Sequence, residues 1–117
     1  MAEDIGEKIC NYWMKMINKK IQEYRTCLQN QQYYEAHEVL EELWFPKRFE
    51  DSAEIKLLKG LINAAVSFEL RKKGRLPQSK KVWQNYLKYR QYLYKVDSKH
   101  LNDYYQLTRF VESLHAH

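Results

Sequence analysis

Proline occurs twice in this chain, at Pro46 and Pro77, and between and beyond those positions the apolar residues recur at helical spacing. Glycine is almost as scarce, with three in 117 residues. Lys, Glu, Gln, Leu and Tyr are abundant, and that balance favours long helices with few loops. No segment alternates with period two over a useful length, so no sheet is expected. The length suits one domain, residues 1–117, with a single core. The expected architecture is all-α: a compact bundle of four or five antiparallel helices with short connections.

The first predicted helix runs from about Asp4 to Gln29, with Ile5, Ile9, Trp13, Met16, Ile17, Ile21, Tyr24 and Leu28 as its apolar stripe. A polar turn, Asn30-Gln31-Gln32, leads to a second helix over Tyr33–Trp44. Phe45-Pro46 stops it, because proline lacks a donor and disfavours a helical residue before it. Asp51 or Ser52 caps the third helix, with Glu54 available for a capping box. That helix runs to about Lys73, where Gly74 is suited to the left-handed terminating position. Leu57, Leu58, Leu61, Ile62, Ala65 and Phe68 form its apolar arc, with Glu69 projecting into it. Gly60 and Ser67 lie opposite, beside Asn63, where a second helix can approach closely. Leu76-Pro77 opens a fourth helix. Asp97 or Ser98 caps a fifth, carrying Leu101, Tyr104, Tyr105, Leu107, Phe110, Val111 and Leu114. The tail, His115-Ala116-His117, is expected to fray.

No run approaches the 18 or so apolar residues of a membrane span, and the start lacks a signal-peptide pattern. Cys10 and Cys27 fall on one helix about 25 Å apart, too far for a mutual disulfide. Reduced thiols in a cytoplasmic protein are the simplest expectation. Charge is unevenly distributed. Residues 30–54 hold seven acids and two bases, a net of −5, whereas residues 71–100 hold ten bases and one acid, a net of +9. The two blocks can pair within the fold or across a subunit interface, or the basic one can face an anionic partner.

At 100° per residue the second helix places Ala36, Leu43, Leu40, Tyr33 and Trp44 on one apolar arc. His37 and Glu41 follow, one turn apart, before the arc resumes with Tyr34 and Phe45; Glu35, Glu38 and Glu42 take the solvated side. An imidazole and a carboxylate at i and i+4 meet on one face and can form two legs of a chelate for Zn, Mn or Fe. Glu69 is the candidate third ligand. The same pair can instead be a buried hydrogen-bonded network, for which His37→Ala costs about 1–3 kcal/mol. The metalloprotease helix signature needs a second histidine where Glu41 stands, and the di-iron Glu-x-x-His pair needs an acid where Tyr34 stands. No nucleophile setting or phosphate-binding glycine loop is present. His100, His115 and His117 read as solvated surface or terminal residues. Residues 80–95 interleave lysine and arginine with Trp83, Tyr86, Tyr89, Tyr92 and Tyr94, a pattern that suits nucleic acid. Trp83, Tyr86 and Leu87 follow core spacing, however, which favours a packed helix whose lysines and arginines form the usual solvated face.

The stretch Tyr34-Glu35-Ala36-His37-Glu38-Val39-Leu40-Glu41-Glu42-Leu43-Trp44, then Lys59-Gly60-Leu61-Ile62-Asn63-Ala64-Ala65 and Arg71-Lys72-Lys73-Gly74, resembles an uncharacterised prokaryotic family, domain of unknown function 309. His37, Glu41 and Trp44 match the family's His-x-x-x-acid-x-x-Trp/Tyr hallmark, and the resemblance spans roughly residues 25–95. It implies a small helical fold and a proposed metal site at the histidine–acid motif. Many members have glutamine where this chain has Asn63, and histidine near Glu69-Leu70, so Glu69 stands in for that histidine or the site is altered.

The leading reading is a helical-bundle binding or structural protein of unknown activity. Its site is a semi-buried pair, His37 and Glu41, with Glu69 as a candidate member, Trp44 and Tyr34 as walls, and a divalent metal as candidate cofactor. Whether it is an enzyme, and which residues would then be catalytic, stay open. The alternatives are a metal-dependent hydrolase-like enzyme and a nucleic-acid-binding module using residues 71–95. A homo-oligomer is a further candidate state, and no membrane partner is expected.

Overall fold

The computed structural model describes the backbone of residues 2–117 and the side chains from Tyr12 onward. Five α-helices follow in order: α1 (Ala2–Gln29), α2 (Tyr33–Trp44), α3 (Ala53–Lys72), α4 (Leu76–Arg90) and α5 (Leu101–Ala116). Two 3-10 turns, Phe45–Lys47 and Gln91–Lys95, extend α2 and α4. No strand occurs among the described residues, and the protein is an all-α bundle. None of its described helices is long and apolar enough to cross a membrane. Ile5, Ile9 and Cys10 lie outside the described side chains.

The connections follow local chemistry. The chain leaves α1 through Gln31, which takes a left-handed conformation with φ of 58° although it is not glycine. Lys72 steadies that turn by donating to the Gln31 carbonyl. The Ser52 hydroxyl accepts from the Ile55 amide and so caps α3. Glu54 takes no part in a capping box. With Ser52 as cap it stands one position too early, and its carboxylate instead accepts the Tyr104 hydroxyl at 2.6 Å. Gly74 ends α3 at φ 78°, where a side chain would be strained.

Helix α3 is the hub. Ile55, Leu57, Leu58, Gly60, Leu61, Ala64, Ala65, Ser67 and Phe68 are all buried, so the helix is enclosed on most sides rather than along one stripe. Towards α1 it meets Ile17, Ile21, Tyr24 and Leu28 of the common core. There the wholly buried Tyr24 hydroxyl donates to the Leu61 carbonyl at 2.7 Å. Burial pushes that phenol's pKa well up. Towards α4 the small residues do what their spacing predicts. Ser67 and Ser79 exchange hydrogen bonds, each hydroxyl donating to the other's carbonyl at 3.1 and 2.8 Å. At Gly60 the approach is closer still: an added Cβ would stand 2.7 Å from the Cβ of Tyr89.

The tail is more ordered than its composition suggests. Helix α5 continues to Ala116, and Arg71 donates to the carbonyls of Leu114 and His115. These are helix-terminal carbonyls that would otherwise lack donors. The His115 ring stacks on Trp83 with centroids 3.8 Å apart and planes 1° from parallel. The anchor comes from α3 and α4, so it is invisible to local sequence.

Two consequences are measurable. A Gly60→Ala substitution gains helix propensity but drives a methyl into the rigid Cβ of Tyr89, and we expect a net loss of about 1–2 kcal/mol in urea unfolding. Burial, then the Arg71 charge, lowers the His115 pKa. The folded state therefore resists a proton that the unfolded chain accepts. This contribution to stability is intact above about pH 6.5 and shrinks as pH falls below it. Thermal melts between pH 5 and 7 should show a steeper acid loss in the wild type than in His115→Ala.

Candidate functional site

Helix α2 buries Ala36, Leu40 and Leu43 and leaves an uninterrupted outer stripe. Tyr34, His37, Glu38, Glu41, Glu42 and Phe45 line an open groove of about 580 Å³. These positions are i, i+3, i+4, i+7, i+8 and i+11, the spacing of one helix face. Tyr34 and Phe45 do not resume the buried arc as their angles suggest, since they are 56% and 52% exposed. Among the described residues, every one lining this groove belongs to α2 or the turn that follows it.

At the centre, His37 and Glu41 meet as expected, with Nε2 to Oε2 at 2.6 Å. Their side chains are 23% and 44% exposed. The pair sits at the margin of the core and is not a buried network. Nδ1 of the same ring faces the Tyr34 carbonyl at 3.3 Å, and the rings of Tyr34 and His37 lie 5.5 Å apart. Both ring nitrogens thus face oxygen atoms. Glu42 is tied to Lys20 of α1. Glu38 is exposed, as its angle predicts, and has no ion-pair partner among the described residues.

The other expected members go elsewhere. Glu69 pairs with Lys73 at 3.4 Å, one turn on along α3. Trp44 is half-buried against the core, with Lys59 rather than the groove over its ring at 5.8 Å. Among the described residues, no three of His, Cys, Asp and Glu come together in a group that could hold a metal ion. Zinc sites use three or four protein ligands. The two donors His37 and Glu41, facing each other, do not make up such a set.

Three features escaped the sequence. His100 is not solvated but only 3% exposed. It packs beside Trp13, Met14, Lys47 and Glu54 around a cavity of about 370 Å³, and its Nε2 has no hydrogen-bond partner among the described residues. Glu54 gathers Tyr104 and Ser98 from 44 to 50 residues away. Glu112 likewise accepts from the Tyr86 hydroxyl and from Arg90 Nε. Such long-range partners leave no periodic mark in a sequence. The aromatic residues of the basic region form a gradient: Trp83 and Tyr86 are core, Tyr89 and Tyr92 are half-buried, and Tyr94 is 72% exposed.

The acidic and basic blocks do not neutralise each other inside the fold. The described ion pairs of residues 30–54 go to Lys20 and Lys56 or stay within the block, and those of residues 71–100 go to Glu69, Glu112 and Asp103.

The fold and stripe together define a small helical bundle presenting a charged aromatic face on α2. The sequence profile of a family described as a domain of unknown function, DUF309, matches residues 21–82. That is more than half of the chain, and the protein belongs to this family. No curated protein and no solved structure matches the chain.

Exposure fixes the expected cost of breaking the central pair. His37→Ala should lower stability by about 0.5 kcal/mol or less, as for other solvent-facing pairs one turn apart. A loss of about 1–3 kcal/mol in urea unfolding would return the pair to the role of a structural network.

Proposed function

We propose that this protein is a non-enzymatic binding module, and that the outer stripe of α2 docks a basic, amphipathic helical segment of a partner protein. The observation that carries this reading is the composition of the stripe. Two exposed aromatic rings stand at its ends, about 16 Å apart along the helix axis at 1.5 Å per residue. Between them lie three carboxylates and the half-exposed His37. Exposed aromatics supply contact area at low entropic cost, and Glu38 and Glu41 can accept charge-assisted hydrogen bonds from lysine or arginine. Helix-in-groove recognition reads this i, i+3, i+4, i+7 arrangement. Arg48 already lies over the Phe45 ring at 3.7 Å, a cation–aromatic contact made by the chain itself.

The arrangement gives less support to a metal-dependent hydrolase. That chemistry needs an open ligand position on a held ion, and both nitrogens of His37 are turned to acceptors.

The test is a titration of isotope-labelled protein with a lysine-bearing amphipathic helical peptide, followed by amide NMR shifts. Perturbations should centre on residues 34–45. Replacing Glu38 and Glu41 with glutamine, or Tyr34 and Phe45 with serine, should weaken binding about tenfold. Shifts spread over the whole surface, or unaltered affinity in both variants, would overturn the reading. So would a stoichiometric zinc, manganese or iron ion in protein purified without a histidine tag.

A further inference from the structure

The face opposite in charge to the α2 stripe has its own construction. Tyr89 and Tyr92, at the junction of α4 and the Gln91–Lys95 turn, stack with centroids 6.5 Å apart. Four lysines lie within cation–aromatic reach of these two rings. Lys59 and Lys88 each stand 5.4 Å from the Tyr89 centroid. Lys56 and Lys95 stand 4.9 and 5.7 Å from that of Tyr92. A neighbouring groove of about 590 Å³ is lined by Lys88, Arg90, Gln91, Tyr92, Tyr94 and Lys95. Lys56 is paired with Asp51, and Arg90 with Glu112. Lys59, Lys88 and Lys95 have no ion pair among the described residues.

We propose that this tyrosine–lysine face binds single-stranded nucleic acid. Residues 71–100, which supply most of this face, hold ten bases and the single acid Asp97, a surplus that suits a polyanion. The acids beside it, Asp51 and Glu112, are already paired with Lys56 and Arg90. The rings narrow the choice of polyanion. A duplex hides the faces of its bases, and an acidic peptide has no regular supply of planar groups, whereas a single strand offers a phosphate and a stackable base at every step. Lysines resting on ring faces are poised for that exchange. Each flexible stem can carry its ammonium from the ring to a phosphate, and the uncovered ring face then takes a base. Tyr94, the most exposed of the three rings, extends the platform along the groove. This face is separate from the α2 stripe, and the inference stands whether or not that stripe docks a peptide.

The experiment is fluorescence anisotropy of labelled 20-nucleotide oligothymidine and oligouridine with the full-length protein, across a salt series. Binding should tighten as salt is lowered, and the log–log salt slope should fall by about 0.7 for each of Lys59, Lys88 and Lys95 changed to alanine. Tyr92→Leu and Tyr94→Ser should weaken binding by about 5- to 100-fold at fixed salt. Both lie outside the core, and unchanged thermal melts confirm that the fold is intact. A double-stranded oligonucleotide of equal charge should bind less tightly than the single strand. Three results would overturn the proposal. One is no anisotropy change even at low salt. Another is equal affinity for single strand, duplex and heparin, with no effect of the tyrosine variants, which would mark a merely cationic surface. The third is concentration-dependent light scattering of the protein alone that disappears in both Glu38→Gln/Glu41→Gln and Lys88→Ala/Lys95→Ala variants. That result would give the face to the acidic α2 stripe of a second copy.

Discussion

The approach of α3 to α4 at Gly60 governs much of what this molecule presents to solvent. With only a hydrogen at that position, the backbone of α4 comes close enough for Tyr89 to lie against α3. The serine pair two turns further on holds the same contact by reciprocal hydrogen bonds. Because α3 is enclosed by α1 and α2 on one side and α4 on the other, its position fixes both flanks of the bundle. Lys59, next to Gly60, reaches Trp44 of α2 and Tyr89 of α4 at once. One residue thus adjoins both halves of the surface, and the packing that makes the core also sets the spacing of the exposed rings.

Much of this architecture is legible from neighbouring residues. Pro46, Ser52 and Gly74 mark boundaries because each acts on its own backbone or the next turn. The angular position of Glu38 separates it from Glu41, and the small residues Gly60 and Ser67 announce a close helix contact. What escapes the sequence is set by groups distant along the chain. His100 reads as a polar residue in a polar loop, yet Trp13, Met14 and Lys47 close over it. Tyr34 and Phe45 read as core because their angles continue an apolar arc, yet among the described residues both face solvent. The tail reads as frayed until Arg71 and Trp83 are known to meet it. The histidine–acid pair was visible as a pair; its solvent exposure and the separate placement of Glu69 depend on tertiary packing.

The division of charge follows from the same geometry. In many small domains opposite surface charges are scattered and largely cancel locally. Here the acids of α2 and the bases of α4 stay apart, and each block is laid over aromatic rings. Salt screens such surface charges without weakening the core.

The buried phenols carry a further consequence. Of ten tyrosines in the chain, Tyr24, Tyr86 and Tyr104 are wholly enclosed, and in each case burial chiefly drives the pKa upward. Tyr24 bonds a backbone carbonyl, whereas the other two donate to Glu112 and Glu54. Each phenol therefore holds its proton more tightly in the folded state than in solvent. In the unfolded chain all three would ionise near pH 10, so their contribution to stability is present below that value and lost as alkalinity rises. The acceptors lie on different helices: Leu61 and Glu54 on α3, Glu112 on α5. Alkali therefore strikes the ties between helices rather than any one helix, and one of those ties, Tyr86 to Glu112, shares its acceptor with Arg90 at the edge of the basic face.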